Sequence, residues 1–213
     1  MSRPLDIGLD QIKTLLLKMG KLSEGSLALA VKSYTGKENH YVQIKAWSNT
    51  LLILSEEVED RAMEMIALHQ PMAKDLRTLK AYIKIAYDME RYGRYALDIS
   101  DITRRLEGWE PFPEDGLKVA EMGEKVKEIV RLSVTLTETQ NESLVWELSK
   151  MEAEIDDLYL ENLKVLAGSR ESSAKTIIVN LLTIRYLERI ADHASYIAEA
   201  ITYAITGKRL ELR

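Results

Sequence analysis

One stretch near the C-terminus reads Arg185-Tyr-Leu-Glu-Arg-Ile-Ala-Asp-His-Ala-Ser-Tyr-Ile-Ala-Glu199 and lies within a long pattern of helical periodicity. It has a counterpart 98 residues upstream, Asp88-Met-Glu-Arg-Tyr-Gly-Arg-Tyr-Ala-Leu-Asp-Ile99. A second match, at an offset of 97, pairs residues 57–60 with residues 154–157. Two matches at nearly one offset indicate a duplicated unit of roughly one hundred residues.

Apolar residues recur at helical spacing along almost the whole chain, which ten glycines and four prolines interrupt only rarely. The pattern predicts six long helices, at about 5–35, 38–69, 71–106, 114–138, 142–167 and 173–205. The clearest boundary is Gly108-Trp-Glu-Pro-Phe-Pro113, at the midpoint of the chain. We therefore predict an all-α fold of two tandem three-helix bundles, residues 1–108 and 114–213, related by internal duplication.

The composition limits the classes of function. The 213 residues carry a net charge of −5, with acids and bases interspersed, which argues against nucleic acid as a main partner. The chain has no cysteine, so disulfides, thiolate metal sites and cysteine nucleophiles are excluded. No apolar run approaches the ~20 residues that span a bilayer, and the N-terminus lacks the apolar core of a signal peptide. We predict a soluble, cytoplasmic protein.

Two pairs of carboxylates stand out in the second half. Glu188 and Asp192 lie four residues apart on the predicted sixth helix, and Glu152 and Asp156 have the same spacing on the fifth. Residues four apart share one face of a helix. If the two pairs faced each other in one bundle, they would form an all-oxygen cage suited to a hard or borderline cation.

Ordinary salt bridges between helices are the alternative for these acids, with Arg185, Arg189 or Lys164 as partners. Spacing alone favours that interpretation, because acid pairs four apart are common on helices. His193 is a candidate for an additional metal ligand, although its spacing fits a packing role better.

Signatures of catalysis are absent from the sequence. It contains no Gly-x-x-x-x-Gly-Lys loop, no nucleophile elbow and no zincin motif. The Glu-x-x-His signature of di-iron bundles is missing at every histidine. We therefore predict that the protein is not an enzyme.

Three segments resemble the PhoU family of phosphate-uptake regulators. They are Gln70-Pro-Met-Ala-Lys-Asp-Leu-Arg77, Tyr186-Leu-Glu-Arg-Ile-Ala-Asp-His-Ala194 and Thr206-Gly-Lys-Arg209. The resemblance covers nearly the whole chain and implies two three-helix bundles without enzymatic activity, in agreement with the pattern above.

The resemblance also implies a function. Family members are negative regulators of phosphate uptake and of phosphate-responsive gene expression, and so of phosphate homeostasis. The implied partners are the ATPase subunit of a phosphate ABC transporter or a sensor histidine kinase, with contact to the membrane only through the transporter. A homodimer is the expected assembly. The alternatives are a regulator of a different ion transport system and a carboxylate-bridged metal-binding protein with hydrolytic activity.

Metal clusters in this family are held by Glu/Asp-x-x-x-Asp pairs. The matching positions are Glu152 with Asp156 and Glu188 with Asp192, so the resemblance implies a divalent or trivalent metal, Fe or Zn, in the second bundle. With the resemblance taken into account, metal binding is favoured over salt bridges at these four residues.

The first half departs from that pattern. Glu90 is followed by Arg94 where the family has an aspartate, and the equivalent pair on the second helix reads Ser55 and Glu59. Arg94 lies one turn from both Glu90 and Asp98, and its guanidinium keeps its charge at any physiological pH. We predict that Arg94 replaces the metal there and that the first bundle is metal-free.

Overall fold

Six α-helices make up nearly all of the computed structural model, which describes residues 3–112, 116–169 and 172–212. They are α1 Pro4–Thr35, α2 Tyr41–His69, α3 Lys74–Arg105, α4 Val119–Thr139, α5 Ser143–Gly168 and α6 Ala174–Thr206. Those ranges contain no strand, so the all-α prediction of six long helices is confirmed. None of the described helices combines the length and the apolar character needed to cross a membrane.

The ends of α6 lie where the sequence places them. Ser173 is the N-cap, and its Oγ accepts a hydrogen bond of 3.2 Å from the backbone N–H of Thr176. Gly207 terminates the helix in the left-handed conformation, with φ of 75°, which glycine adopts without a steric penalty.

Three helices begin three or more residues later than predicted, and the second of the chain is one of them, since it starts at Tyr41 instead of residue 38. The third starts at Lys74 instead of Pro71, because Gln70 and Ala73 have φ angles of 45° and 46° and turn the chain before the helix begins. The fourth starts at Val119 instead of residue 114. Residues 113–115 lie outside the described residues, and residues 116–118 are not helical.

Helices α1–α3 form one bundle and α4–α6 form the other, and α3 against α6 is the main contact between them. Residue numbers fall along α6 as they rise along α3, so the two helices are antiparallel. The pairs are Lys80 with Tyr203, Lys84 with Tyr196, Asp88 with His193 and Tyr95 with Tyr186. The buried apolar residues of both bundles form one connected core. The division into units 1–108 and 114–213 therefore stays a proposal.

The α3–α6 contact, called the seam below, carries an approximate two-fold symmetry. The repeat relates positions 88 and 95 on α3 to positions 186 and 193 on α6. The contact of Asp88 with His193 is therefore the symmetry mate of the contact of Tyr95 with Tyr186. The fold places a hydrogen-bonded pair, Asp88 and His193, on one side of the axis and a stacked pair of rings on the other.

The linker between the bundles is fastened to both of them around Asn180. Trp109 stacks on Tyr34 of α1 with ring centroids 5.3 Å apart. The side-chain amide of Asn180 donates to the carbonyl of Glu110 at 3.2 Å and to the carbonyl of Thr176 at 2.7 Å. The Tyr34 hydroxyl donates to the Asn180 amide oxygen. One buried amide thus joins α1, the linker and α6.

Asn180→Leu is expected to lower the free energy of unfolding by about 2–3 kcal/mol, because it leaves the Tyr34 hydroxyl and the Glu110 carbonyl without their partner. Urea denaturation measures the change. The matched control is Asn49→Leu, since Asn49 is exposed on α2, and it should change the stability by less than about 0.5 kcal/mol. Equal losses in the two variants would contradict the role given to Asn180.

Candidate metal centre

Three carboxylates from two helices meet in the second bundle. One oxygen from each of Glu152 and Asp156 on α5 and Asp192 on α6 lies within 4.8 Å of the other two. Glu152 and Asp192 are buried, with 5% and 4% of their surface exposed. Carboxylates this close repel one another unless a proton or a cation neutralises them. The structure therefore brings together three of the four acids predicted from the sequence.

The fourth predicted acid, Glu188, lies at the edge of this group. Its Oε1 accepts a 2.6 Å hydrogen bond from Arg185, and its buried Oε2 has no hydrogen-bond partner within the described part of the chain. Burial raises the pKa of the Glu188 carboxyl above its usual value, and the charge of Asp192 raises it further, while Arg185 opposes both. Glu188 thus has one oxygen held by an arginine and one oxygen available to a cation.

Salt bridges are present beside the acidic cluster, in a different arrangement from the one considered above. Arg185 pairs with Glu188 at 2.6 Å and Arg189 pairs with Asp192 at 2.7 Å. Both pairs lie within α6 and do not connect helices. Together with Glu152 and Asp156, the group has four carboxylates and two guanidinium groups, a net charge of −2 when all are ionised. This donor set fits a divalent cation bound through oxygen.

His193 is not a member of the three-acid group and lies in the seam. Its Nδ1 lies 2.8 Å from Oδ1 of Asp88 on α3, and its ring packs against Tyr95 and Tyr196 with centroids 5.7 and 5.3 Å away. Any bond from His193 to a metal would have to come from Nε2. Its role as an additional ligand stays a prediction.

Asp88 is the polar residue that the sequence analysis missed. Only 1% of its surface is exposed, and burial raises the pKa of its carboxyl while the hydrogen bond from His193 lowers it. The repeat gave a weak indication that position 88 is unusual, because it has an aspartate where the equivalent position in the second half has the aromatic Tyr186.

The first bundle has a different arrangement at the equivalent positions. Nε of Arg94 lies 3.7 Å from Oδ1 of Asp98, and Glu90 has Arg91 as its nearest cation, at 3.8 Å. Burial raises the pKa of both the Glu90 and the Asp98 carboxyls. No three metal-ligating side chains in the described part of this bundle approach one another as those of the second bundle do. Arg94 thus pairs with Asp98 and not with Glu90.

The fold and this site define a class of protein, namely paired three-helix bundles with a buried acidic cluster on two helices of the second bundle. The model of the PhoU domain family matches the chain twice, over residues 16–103 and 119–201. The chain belongs to the PhoU family.

Relatives and solved structures agree with this assignment. The chain is 27% identical over 209 residues to a protein of Clostridium acetobutylicum, covering 96% of this chain and 95% of that one. It is 29% identical over 204 residues to a protein of Synechocystis, covering 94% and 91%. Both are named phosphate-specific transport system accessory protein PhoU homolog.

Two crystal structures share the fold. PhoU from Pseudomonas aeruginosa has a TM-score of 0.88 and 23% identity, covering 95% of this chain and 99% of that one. The phosphate transport system regulatory protein PhoU from Streptococcus pneumoniae has a TM-score of 0.89 and 20% identity, covering 97% and 99%.

Proposed function

We propose that this protein is a cytoplasmic, non-enzymatic regulator of a phosphate transport system, which restrains phosphate uptake and phosphate-responsive signalling. The observation that carries the proposal is the match along nearly the full length to relatives named as accessory proteins of phosphate-specific transport systems. The match covers 96% of this chain and 95% of the Clostridium acetobutylicum relative.

The proposed partner is the ATPase subunit of a phosphate ABC transporter or an associated sensor histidine kinase, and the protein acts at the membrane only through that partner. Val42 on α2 and Met72 in the α2–α3 link are about four-fifths exposed, at 80% and 79%, and Trp146 on α5 is 67% exposed. These residues lie on separate segments and do not by themselves define a patch, since single exposed apolar residues are common on protein surfaces. They are the positions at which contacts with the partner, or with a second copy in a homodimer, are proposed.

The acidic cluster is the proposed site of an Fe or Zn ion. Glu152, Asp156 and Asp192 would hold it, with Oε2 of Glu188 as the further ligand. The bound ion would offset the net charge of −2 that the four carboxylates and two guanidinium groups have when all are ionised. Because the ligands come from α5 and α6, they would fix these helices to each other, and Arg185 and Arg189 would orient the carboxylates from outside. This role is structural and regulatory, and it requires no reaction at the metal.

Binding to the cognate ATPase subunit tests the regulatory function. A pull-down with the purified protein should recover the ATPase from membranes of cells grown at low or high phosphate. Recovery of nothing under either condition would contradict the proposal. Recovery of the ATPase of another ion importer instead would favour a regulator of that system.

The same preparation separates a regulator from a hydrolase. Turnover of phosphoesters and of ATP should stay at background with added Fe or Zn. A phosphatase activity that Asp192→Ala abolishes would identify a metalloenzyme and refute the non-enzymatic function.

A further inference from the structure

A groove of about 280 Å³ lies at one end of the seam. Its walls are the N-terminal part of α3, the C-terminal part of α6 and the tail that follows α6. Ala81, Ala200 and Leu210 contribute apolar surface, and Lys80, Lys84 and Arg209 contribute positive charge. The groove therefore combines an apolar lining with cations from two segments of the chain.

Two of these cations, Lys80 and Lys84, are restrained by aromatic rings, and the charge of Lys84 also acts on the buried Asp88. The ammonium group of Lys80 lies 5.4 Å from the ring centroid of Tyr203, and that of Lys84 lies 4.8 Å from the centroid of Tyr196. Contact with an aromatic face restrains a lysine without neutralising its charge. Across the ranges that the structure describes, Lys80, Lys84 and Arg209 form no salt bridge with a carboxylate.

The positive charge continues along α3 beyond the groove. Arg91 and Arg94 follow Lys80 and Lys84 at helical spacing, and together these four residues form the α3 basic stripe, about 21 Å long at 1.5 Å per residue. The nearest carboxylate oxygens are 3.8 Å from Arg91 and 3.7 Å from Arg94, beyond hydrogen-bond distance. Their guanidinium groups retain donors for another molecule.

The stripe belongs to the first half alone. The repeat relates its four residues to Ile178, Leu182, Arg189 and Asp192 on α6. Two of these are apolar, and the arginine is bonded to the aspartate at 2.7 Å. Since the same fold in the second half forms without such a stripe, packing does not require the four cations of α3.

We propose that the groove and the α3 basic stripe form the docking surface for an acidic amphipathic helix of the partner protein, an inference that rests on the proposed function. A ligand helix of about four turns matches the length of the stripe. Carboxylates one turn apart would meet Lys80 and Lys84, and an apolar side chain between them would contact Ala81 and Ala200.

The acids in the groove favour a protein helix over a polyanion. Glu199 and Glu211 also line it, so its three cations leave a net charge of only +1. A phosphate backbone or an anionic lipid surface presents a dense array of negative charge, which the carboxylates of Glu199 and Glu211 would repel. A helix places its few acidic side chains individually, opposite the cations and away from the glutamates.

The test measures the affinity of the ATPase subunit for wild type, for Lys80→Glu/Lys84→Glu and for a control of equal net charge. The control is Lys18→Glu/Lys164→Glu, which reverses two exposed lysines of α1 and α5 that neither line the groove nor belong to the stripe. We expect the groove variant to bind at least about tenfold more weakly, with the control within about twofold of wild type. Circular dichroism verifies that both variants are folded.

The outcomes separate this docking surface from the regulatory function. If the ATPase binds the groove variant as it binds wild type, the docking surface is wrong and the regulatory function stands. If wild type binds neither the ATPase subunit nor the associated sensor histidine kinase, both are wrong. Vesicles with anionic lipid and a single-stranded oligonucleotide serve as further probes. One outcome would overturn the assignment to a protein helix. In that outcome, vesicles or the oligonucleotide bind wild type but not Lys80→Glu/Lys84→Glu, while the ATPase subunit still binds that variant. The surface would then bind that ligand and not the partner helix.

Discussion

His193→Leu is expected to lower the free energy of unfolding by about 3–5 kcal/mol, since it leaves the Asp88 carboxylate buried without its partner. The two side chains meet at 2.8 Å, and 9% of the His193 side chain and 2% of the Asp88 side chain are exposed. Oδ2 of Asp88 already has no hydrogen-bond partner among the described residues, so it could not share the charge. Urea denaturation followed by circular dichroism measures the loss.

The control removes both partners together. Asp88→Leu/His193→Leu should recover a large part of the stability lost in the single variant, because no buried charge then remains. The cycle of single and double variants isolates the energy of the pair from the loss of packing by the histidine ring. If the double variant is at least as unstable as the sum of the two single variants, ring packing and not the Asp88–His193 contact accounts for the effect.

Titration with Fe or Zn is expected to load the second bundle only. Asp156→Asn and Asp192→Asn should each weaken binding by about 100-fold or more, since a ligand and one of the neutralising charges are lost. At a metal concentration one hundred times the dissociation constant, wild type should gain about 2.7 kcal/mol of stability that neither variant gains. Calorimetry gives the affinity, and anomalous scattering gives the position of the ion.

Two further variants make this experiment specific. Asp157→Asn removes an acid next to Asp156 that lies outside the three-acid group, and it should leave the affinity within about twofold of wild type. Arg94→Asp removes the fixed cation beside Glu90 and Asp98, and it should add weak binding to the first bundle. Metal at Glu90 in wild type would refute the asymmetry. A second bundle that stays empty in excess Fe and Zn would return Glu188 and Asp192 to simple salt bridges.

The helices were predictable because their signals are local. The apolar spacing and the cap residues Ser173 and Gly207 predict both ends of α6, and each of these signals lies within a few residues of the end that it predicts. The start of α3 was not predictable in this way. Pro71 is a favourable first residue of a helix, but the left-handed residues Gln70 and Ala73 around it carry the chain through a turn instead.

The site was predictable in part for the same reason. Spacing places Glu152 and Asp156 on one face of α5, whereas the choice between Arg185 and the acidic cluster as partner of Glu188 depends on side-chain rotamers. The pair of Asp88 and His193 spans 105 residues of sequence. It exists only because α3 and α6 pack antiparallel, and helical periodicity contains no information on which helices become neighbours.

The approximate two-fold axis of the seam has a consequence for the origin of its chemistry. Two separate copies of one repeat would make such a contact isologously, and identical chains must place the same residues on both sides of the axis. An aspartate at position 88 would then force an aspartate at position 186, and a histidine at 193 would force one at 95. Fusion into a single gene product lifts this restriction. It allows Asp88 with His193 to face Tyr95 with Tyr186 across the axis, and it allows α3 to have Lys80 and Lys84 where α6 has Ile178 and Leu182.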